Sequence, residues 1–99
     1  MSSKPTYDLV RLKSLVAGRF YRITGHAFEG AAAADLDEWD ILQCVAQLTP
    51  ANFYKTMPAV KLAGAMQDVY RPTYLQLPLY VKLQEVPHGV AVVISFEEL

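Results

Sequence analysis

The chain has 99 residues, 53% of them apolar, and its nine Lys and Arg against ten Asp and Glu give a net charge of −1. This apolar fraction is enough for the core of one domain, which we expect to span residues 1–99, and it argues against disorder. The charge balance excludes the broadly basic surface typical of nucleic-acid-binding domains, so an anionic ligand would need a local cluster of cations.

The first predicted element is a helix over Tyr7–Ala17. Thr6 is its expected N-cap, and Asp8 in the first turn suits the positive end of the helix dipole. Gly18 fits the position at which a helix stops. The helix is supported by one apolar stripe at helical spacing, formed by Leu9, Leu12, Leu15 and Val16.

A short strand and two further helices follow. The alternating aromatic and β-branched segment Arg19–Thr24 predicts a strand. Thr24 is then the expected cap of a helix through HAFEGAAAA. Asp35 and Glu38 form a D-x-x-E pattern, which predicts a capping box at the start of a third helix that ends near Leu48.

The middle of the chain predicts a fourth, short helix. Thr49 is followed by a proline, which is typical of an N-cap with proline at the first helical position, and opens the segment PANFYKTM. Phe53 and Met57 are four residues apart and would face inward, which leaves Tyr54 and Lys55 turned outward. The next segment, PAVKLAG, is expected to be a loop.

The last third predicts an antiparallel meander. Its strands are expected over Ala65–Tyr74, Leu79–Val86 and Val90–Glu97, and the second turn at Pro87–Gly89. Helices first and strands last predict an α+β fold, with the helices packed on one face of an antiparallel sheet.

The two faces of this predicted sheet differ in polarity. The apolar face is expected to carry alternate residues of the last two strands, Leu79, Val81, Leu83, Val92, Ile94 and Phe96. The opposite face is expected to carry Gln67, Arg71, Tyr80, Lys82, Gln84, Val93, Ser95 and Glu97. This pattern indicates an open face with convergent polar groups. A solvated sheet face, with Arg71 paired to a nearby carboxylate, explains the same pattern.

Targeting, membrane and metal signals are missing from the sequence. MSSKPTYDLV has no apolar stretch before its first charged residues, and the longest uncharged segment, Ile41–Tyr54, is too short and polar to span a bilayer. Cys44 has no cysteine to pair with and is expected in the core. We therefore expect a cytoplasmic protein that uses no cofactor and no metal.

Several segments in the same order carry a resemblance to a known family. NFYKTM, MQDVYRP, LYVKL and VVISFEE resemble the motility quorum-sensing regulator toxins, which are bacterial toxin–antitoxin proteins. The likeness is strongest over Pro50–Glu98 and continues more weakly in KPTYDLVRLKSLVAGRFYRIT. It implies the fold of the small RelE-type ribonuclease toxins, an antiparallel sheet with helices on one side.

The resemblance also implies an activity and partners. Toxins of this family act as mRNA interferases, so it implies metal-free cleavage of single-stranded mRNA at GC-containing sites and inhibition of translation and growth. The implied partner is a zinc-containing, DNA-binding antitoxin, which blocks the toxin and represses their operon, so that operator DNA is contacted only indirectly. A membrane has no part in this scheme.

The resemblance carries specific residues with it. The matching catalytic positions are Lys55, Gln67, Arg71 and Tyr80, and further candidate RNA contacts are Tyr54, Lys82 and Glu97. The family often has a lysine where this chain has Glu97, which replaces a phosphate-binding cation by an anion. A catalytically weakened toxin that acts mainly as antitoxin partner and co-regulator is therefore the alternative function, and a small ligand-binding domain is a third.

The side chains suit cleavage by the ribose 2′-OH, which needs a base, a cation at the phosphate and an acid at the leaving oxygen. Arg71 matches phosphate oxygens, and Lys55 can do the same or act as acid or base. Tyr80 can donate to the leaving oxygen or stack on a base, whereas Gln67 can only orient. Arg19 and Arg22, together with Phe20 and Tyr21, indicate either a basic and aromatic RNA surface or an exposed strand edge.

Overall fold

The computed structural model describes residues 4–99, which form three helices and six strands. The helices are α1 (Leu9–Ala17), α2 (Gly25–Ala33) and α3 (Glu38–Ala46). The strands are β1 (Tyr21–Ile23), β2 (Phe53–Pro58), β3 (Met66–Tyr70), β4 (Thr73–Tyr74), β5 (Leu77–Val86) and β6 (Val90–Glu98). The predicted α+β class is confirmed, and no helix within residues 4–99 is long and apolar enough to cross a membrane.

The main sheet has the strand order β1-β6-β5-β3-β2, and β4 pairs with β5 outside this path. The pairs among β2, β3, β5 and β6 are antiparallel, as expected. The pair of β1 with β6 is parallel, which the prediction of a purely antiparallel sheet did not include. The strand after α1 thus closes the sheet edge beside the last strand of the chain.

One face of the sheet, the helix face, carries the core. Its strand residues are Tyr70, Leu79, Val81, Leu83, Val93 and Phe96, and they pack with apolar residues of α1, α2 and α3. Cys44 of α3 is buried in this core, where desolvation raises the pKa of its thiol to about 12. Helix α2 lies so close against β6 that a Cβ at Gly30 would collide with the Phe96 carbonyl oxygen.

Two helix caps differ from their predicted positions. Asp8, not Thr6, caps α1, and its carboxylate accepts from the backbone N–H of Val10 at 2.9 Å. Thr6 instead donates its backbone N–H to Asp68 Oδ1 at 2.9 Å. Gly18 does end the helix, but with an ordinary φ of −83°, and Arg19 takes the left-handed conformation at φ 70°.

The capping box of α3 lies two residues later than predicted. The backbone N–H of Asp40 donates to Asp37 Oδ1, and that of Asp37 donates to Asp40 Oδ2, each at 3.0 Å. Asp35, the predicted cap, has φ 61° and belongs to the turn before the helix. A second aspartate performs the role that the pattern assigned to glutamate, since either carboxylate can reach the cap N–H.

The predicted helix PANFYKTM is wrong beyond its first residues. Pro50–Asn52 forms a single 3-10 turn, and the following residues form β2, which pairs antiparallel with β3. A register shift after Phe53 turns its ring to the edge of the Tyr70 ring, with centroids 5.6 Å apart, while Met57 lies opposite Gln67. Cross-strand pairing therefore overrides the local helix signal of the Thr-Pro start.

A β-bulge changes which residues of β6 face the core. Ser95 pairs with Lys82 and Val93 with Leu83, so Ile94 is the extra residue. Val93 and Phe96 consequently belong to the helix face, while Val92 pairs with Gln84 on the opposite face. The predicted assignment of Val92 and Ile94 to the core side, and of Val93 to the polar side, is wrong for this reason.

Candidate functional site

The face of the sheet away from the helices, called the outer face below, collects the predicted functional residues. Direct cross-strand partners share a face, so the ladder rows can be followed across the strands. The rows are Lys55, Val69, Lys82 and Ser95; Met57 and Gln67, next to Gln84 and Val92; and Tyr80 with Glu97. Arg71 follows the end of β3 and Tyr54 lies beside it. The structure thus brings all seven predicted residues together.

The centre of the outer face is not an ordinary solvated surface. Val69 is fully buried, and Gln67 and Gln84 are only 7% and 6% exposed. Ser95 and Val92 are buried as well. Because polar groups lose hydration when they are buried, this arrangement is held only where the groups find partners or a ligand. The centre of this face is therefore not freely solvated, whereas Tyr54, Lys55 and Arg71 on the same face are exposed.

The cations of the outer face have no acidic partners. Arg11 forms an ion pair with Glu85, His26 Nε2 lies 3.4 Å from Glu97 Oε1, and within residues 4–99 none of Lys55, Arg71 and Lys82 pairs with a carboxylate. The alternative in which Arg71 pairs with a nearby carboxylate is thus wrong. Unpaired cations on one face are free to bind an anion such as a phosphate.

Tyr54 organises two of these cations. The Arg71 guanidinium carbon lies 4.6 Å from the centroid of the Tyr54 ring, and Lys55 Nζ lies 5.6 Å from the same ring. Such cation–π contacts limit the positions of long side chains without neutralising their charge. The guanidinium therefore keeps its hydrogen-bonding fork available beside an exposed aromatic ring.

Tyr80 lies between the cations and β6. Its hydroxyl is 4.0 Å from Met57 Sδ, and Lys82 Nζ lies 5.8 Å from its ring centroid. Burial raises the pKa of the Tyr80 phenol above its ordinary value, and the charges of Glu97 and Tyr54 raise it further. The phenol consequently stays protonated at neutral pH and can act as a proton or hydrogen-bond donor.

Gln67 is held by a residue to which the sequence analysis assigned no role. Its Nε2 donates to Gln84 Oε1 at 3.0 Å, between two buried side chains. Gln84 was assigned to the polar face, but its contact with Gln67 could not be predicted because it depends on the register of β3 against β5. The pair fixes the orientation of an amide that has no charge of its own.

Glu97 and Arg22 extend the outer face toward β1. Glu97 lies opposite Tyr80 in the ladder, and its Oε1 is 3.4 Å from His26 Nε2 at the start of α2. Arg22 pairs with Val92, so it belongs to the outer face, while its neighbour Tyr21 packs against the core. Its place depends on the parallel pairing of β1, which had no sequence signal.

Asp68, next to Gln67 in β3, lies on the opposite face and has a structural role. Its carboxylate accepts from the backbone N–H groups of Thr6 at 2.9 Å and Tyr7 at 2.8 Å, and it is fully buried. These contacts fasten the segment before α1 to the sheet.

Metal ligands are not grouped in the part of the chain that the structure describes, where no set of three or more His, Cys, Asp or Glu could hold an ion.

Two comparisons with known proteins point to the same family. The family model described as "Motility quorum-sensing regulator, toxin of MqsA" matches residues 4–98. The chain is 32% identical over 94 residues, which are 95% of this chain and 94% of the relative, to the "mRNA interferase toxin MqsR" of Escherichia coli (strain K12).

Proposed function

The chain belongs to the family of motility quorum-sensing regulator toxins, and we propose that this endoribonuclease cleaves single-stranded mRNA on its outer face without a metal ion. The observation that carries the proposal is the set of cations without acidic partners, Lys55, Arg71 and Lys82, around a protonated Tyr80. Positive charge on one face lets a protein with a net charge of −1 attract a polyanion locally.

The proposed reaction is attack of a ribose 2′-OH on the adjacent phosphorus. A bond from the 2′ oxygen to phosphorus forms as the 2′-OH gives its proton to solvent water, and the bond to the 5′ oxygen breaks as that oxygen takes the proton of Tyr80, which solvent water then replaces. The products end in a 2′,3′-cyclic phosphate and a 5′-OH. We propose that Arg71 and Lys55, which are positioned beside Tyr54, stabilise the negative charge on the phosphoryl oxygens. Preorganised cations of this kind stabilise the charge that develops in the transition state.

Tyr80 is the proposed general acid. Its raised pKa keeps the phenol proton in place until the 5′ oxygen leaves, and that oxygen takes it. Gln67 is proposed to orient the RNA through its amide, and Lys82 and Tyr54 to contact neighbouring nucleotides. We extend the proposal to cleavage at GC-containing sites, in the cytoplasm, on the strength of the resemblance of the motifs.

The proposed partner is an antitoxin. The family description names its members as toxins of MqsA, which supports a cognate inhibitor for this chain. That this inhibitor contains zinc, binds operator DNA and represses the operon is part of the same proposal. Glu97 supports a second candidate function, a weakened toxin that serves mainly as antitoxin partner, because it adds negative charge opposite Tyr80 in the ladder.

The test is RNA cleavage by the purified chain on a GC-containing single strand in the presence of EDTA. The wild type should give fragments with cyclic phosphate ends, and Lys55→Ala should lose most of this activity. Arg11→Ala is the matched control, because Arg11 pairs with Glu85 at the exposed surface and has no place on the outer face. Equal cleavage by all proteins would reject the assigned site, and antitoxin binding without cleavage or growth arrest would favour the weakened toxin.

A further inference from the structure

A cavity of about 550 Å³ opens on the outer face beside the proposed cleavage site. Gln67, Gln84 and Ser95 line it from the sheet, Thr24 and His26 line it from the start of α2, and the loop segment 59–62 lines it from the opposite side. Lys82 also lines it, and its Nζ lies 5.8 Å from the centroid of the Tyr80 ring, so the cavity borders the residue that we assign as general acid.

The two buried amides leave hydrogen-bonding groups unused in this cavity. Among residues 4–99, the side chains of Gln67 and Gln84 each make a single hydrogen bond, which is the one from Gln67 Nε2 to Gln84 Oε1. Within the described part of the chain, Gln67 Oε1 and Gln84 Nε2 therefore have no partner, and neither is among the fully enclosed atoms. Whichever amide donates in the pair, one carbonyl oxygen and one NH₂ group are left over on two residues that line the cavity.

The remaining lining suits a flat, electron-rich ring on an anionic backbone. Val60, Leu62 and Ile94 supply apolar surface, Lys61 and Lys82 supply positive charge, and His26 supplies an imidazole ring. Among the residues that the structure describes, no Asp or Glu lines the cavity. An apolar cleft with a few placed polar groups is the usual form of a small-molecule site, and these cations favour an occupant that is attached to phosphates.

We propose that this cavity receives one nucleobase of the RNA and that the paired amides of Gln67 and Gln84 read its hydrogen-bonding edge. A base edge presents a donor next to an acceptor, which matches the carbonyl oxygen and NH₂ group that the amide pair leaves open. The inference rests on the proposed function, because it concerns how the same RNA is selected.

The location indicates which nucleotide is read. Gln67 precedes Arg71 by four residues, which is about 13 Å along an extended chain. Lys82 lies in the row between the amide pair and Tyr80. The base therefore belongs to a nucleotide next to the bond that is cut, and Gln84 is a residue that determines sequence specificity rather than rate alone.

The experiment compares cleavage profiles on an RNA library with randomised sequence, read by sequencing the fragment ends. For Gln84→Glu, which has nearly the same shape but loses the NH₂ group, we expect the preference at one position beside the cut to change by about 5-fold to 100-fold. Gln43→Glu on α3 is the matched control and should keep the wild-type profile. A profile is a ratio between sites, so it does not depend on how much of a variant is folded.

A second measurement separates recognition from chemistry. Oligonucleotides with 2′-deoxy sugars cannot be cut by the 2′-OH route, so their binding to wild type and Gln84→Glu can be followed by fluorescence anisotropy. Base-dependent binding by wild type that Gln84→Glu loses supports the inference. If the wild type cleaves RNA and Gln84→Glu shows the wild-type cleavage profile and the wild-type base-dependent binding, the inference is overturned and the proposed function stands. Absence of wild-type cleavage together with base-independent binding rejects both.

Discussion

The two faces of the sheet both bury side chains, but they do so by different means. The helix face buries Tyr70, Val81 and Phe96 against three helices, and nearly all of this surface is apolar. The outer face buries Gln67 and Gln84 without a helix lying over them, in the company of Lys82 and a cavity. Apolar burial is the main source of stability, whereas buried amides cost free energy unless they are paired. We infer that the helix face maintains the fold and the outer face selects and cuts RNA.

The largest expected effect tests the helix face. Phe96→Ala removes a fully buried ring beside Gly30, where α2 approaches β6 most closely. We expect the free energy of unfolding to fall by about 3–5 kcal/mol, because such a change loses the transfer free energy of the ring and leaves a cavity. Urea denaturation followed by circular dichroism measures it. A variant with wild-type stability would contradict the division between the faces.

Arg71→Ala is the corresponding test of the outer face. We expect kcat/KM on a GC-containing RNA to fall about 100-fold or more, because the phosphate loses a charged, preorganised donor. The free energy of unfolding should change little, since Arg71 is exposed and stacks on an exposed ring. Arg71→Lys keeps the charge but not the planar fork and should recover only part of the activity. Loss of stability in step with loss of activity would break the comparison.

The role of Tyr80 as acid can be tested through pH. Its raised pKa predicts that the protonated form persists up to and beyond pH 10, so wild-type kcat should show no alkaline fall caused by this group below about pH 10. Tyr80→Phe should lower kcat about 100-fold, which is the usual contribution of a general acid. An alkaline limb near pH 8 that disappears in Tyr80→Phe would show that the phenol ionises far earlier and would contradict the assignment.

Adjacent residues of β3 allow the comparison to be made within one strand. Asp68→Ala leaves the backbone N–H groups of Thr6 and Tyr7 without their acceptor, and we expect the unfolding free energy to fall by about 1–3 kcal/mol. Gln67→Ala, one residue earlier, should instead lower RNA cleavage. Thermal unfolding and cleavage of the same RNA, measured on both variants, separate the two effects. The same ranking of the two variants in both measurements would show that the faces are not distinct.

Sequence patterns predicted the elements whose signals are local. Helices α1 to α3 follow from apolar spacing and from cap residues within two positions of the true ones, and the polar face follows from alternation in β5. The parallel pairing of β1, the strand state of β2 and the bulge at Ile94 depend on partners far away in the chain, and no local pattern contains them. Motif resemblance grouped Lys55 with the other candidate residues, and the structure places it with them on the outer face although its element was predicted wrongly.

For the candidate site too, local sequence patterns predicted some features, and others depended on how the strands pair. Residue types and motifs identified the members of the outer face, but their burial and mutual contacts required the register. The Gln67–Gln84 bond and the place of Arg22 beside Val92 arise only when the strands are paired. Physical pattern therefore predicts which residues a face can offer, and strand pairing decides which of them act together.

The smallest expected effect concerns Glu97, the anion of the outer face. Glu97→Lys should raise RNA cleavage by about 3-fold to 10-fold, since a charge change at a half-exposed position is worth about 1 kcal/mol. The added lysine lies opposite Tyr80 and removes a carboxylate that raises the pKa of its phenol. The gain should shrink as salt rises, because screening weakens exposed charges.

Glu98→Lys is the matched control for this change. It makes the same charge reversal one residue later, where Glu98 pairs with Leu79 of the helix face. A rate that rises in Glu97→Lys but not in Glu98→Lys would show that RNA approaches the end of β6 on the outer face only. Equal rates for both variants and wild type would mean that the RNA does not reach Glu97. The RNA-binding part of the outer face would then end at Tyr80 and Lys82.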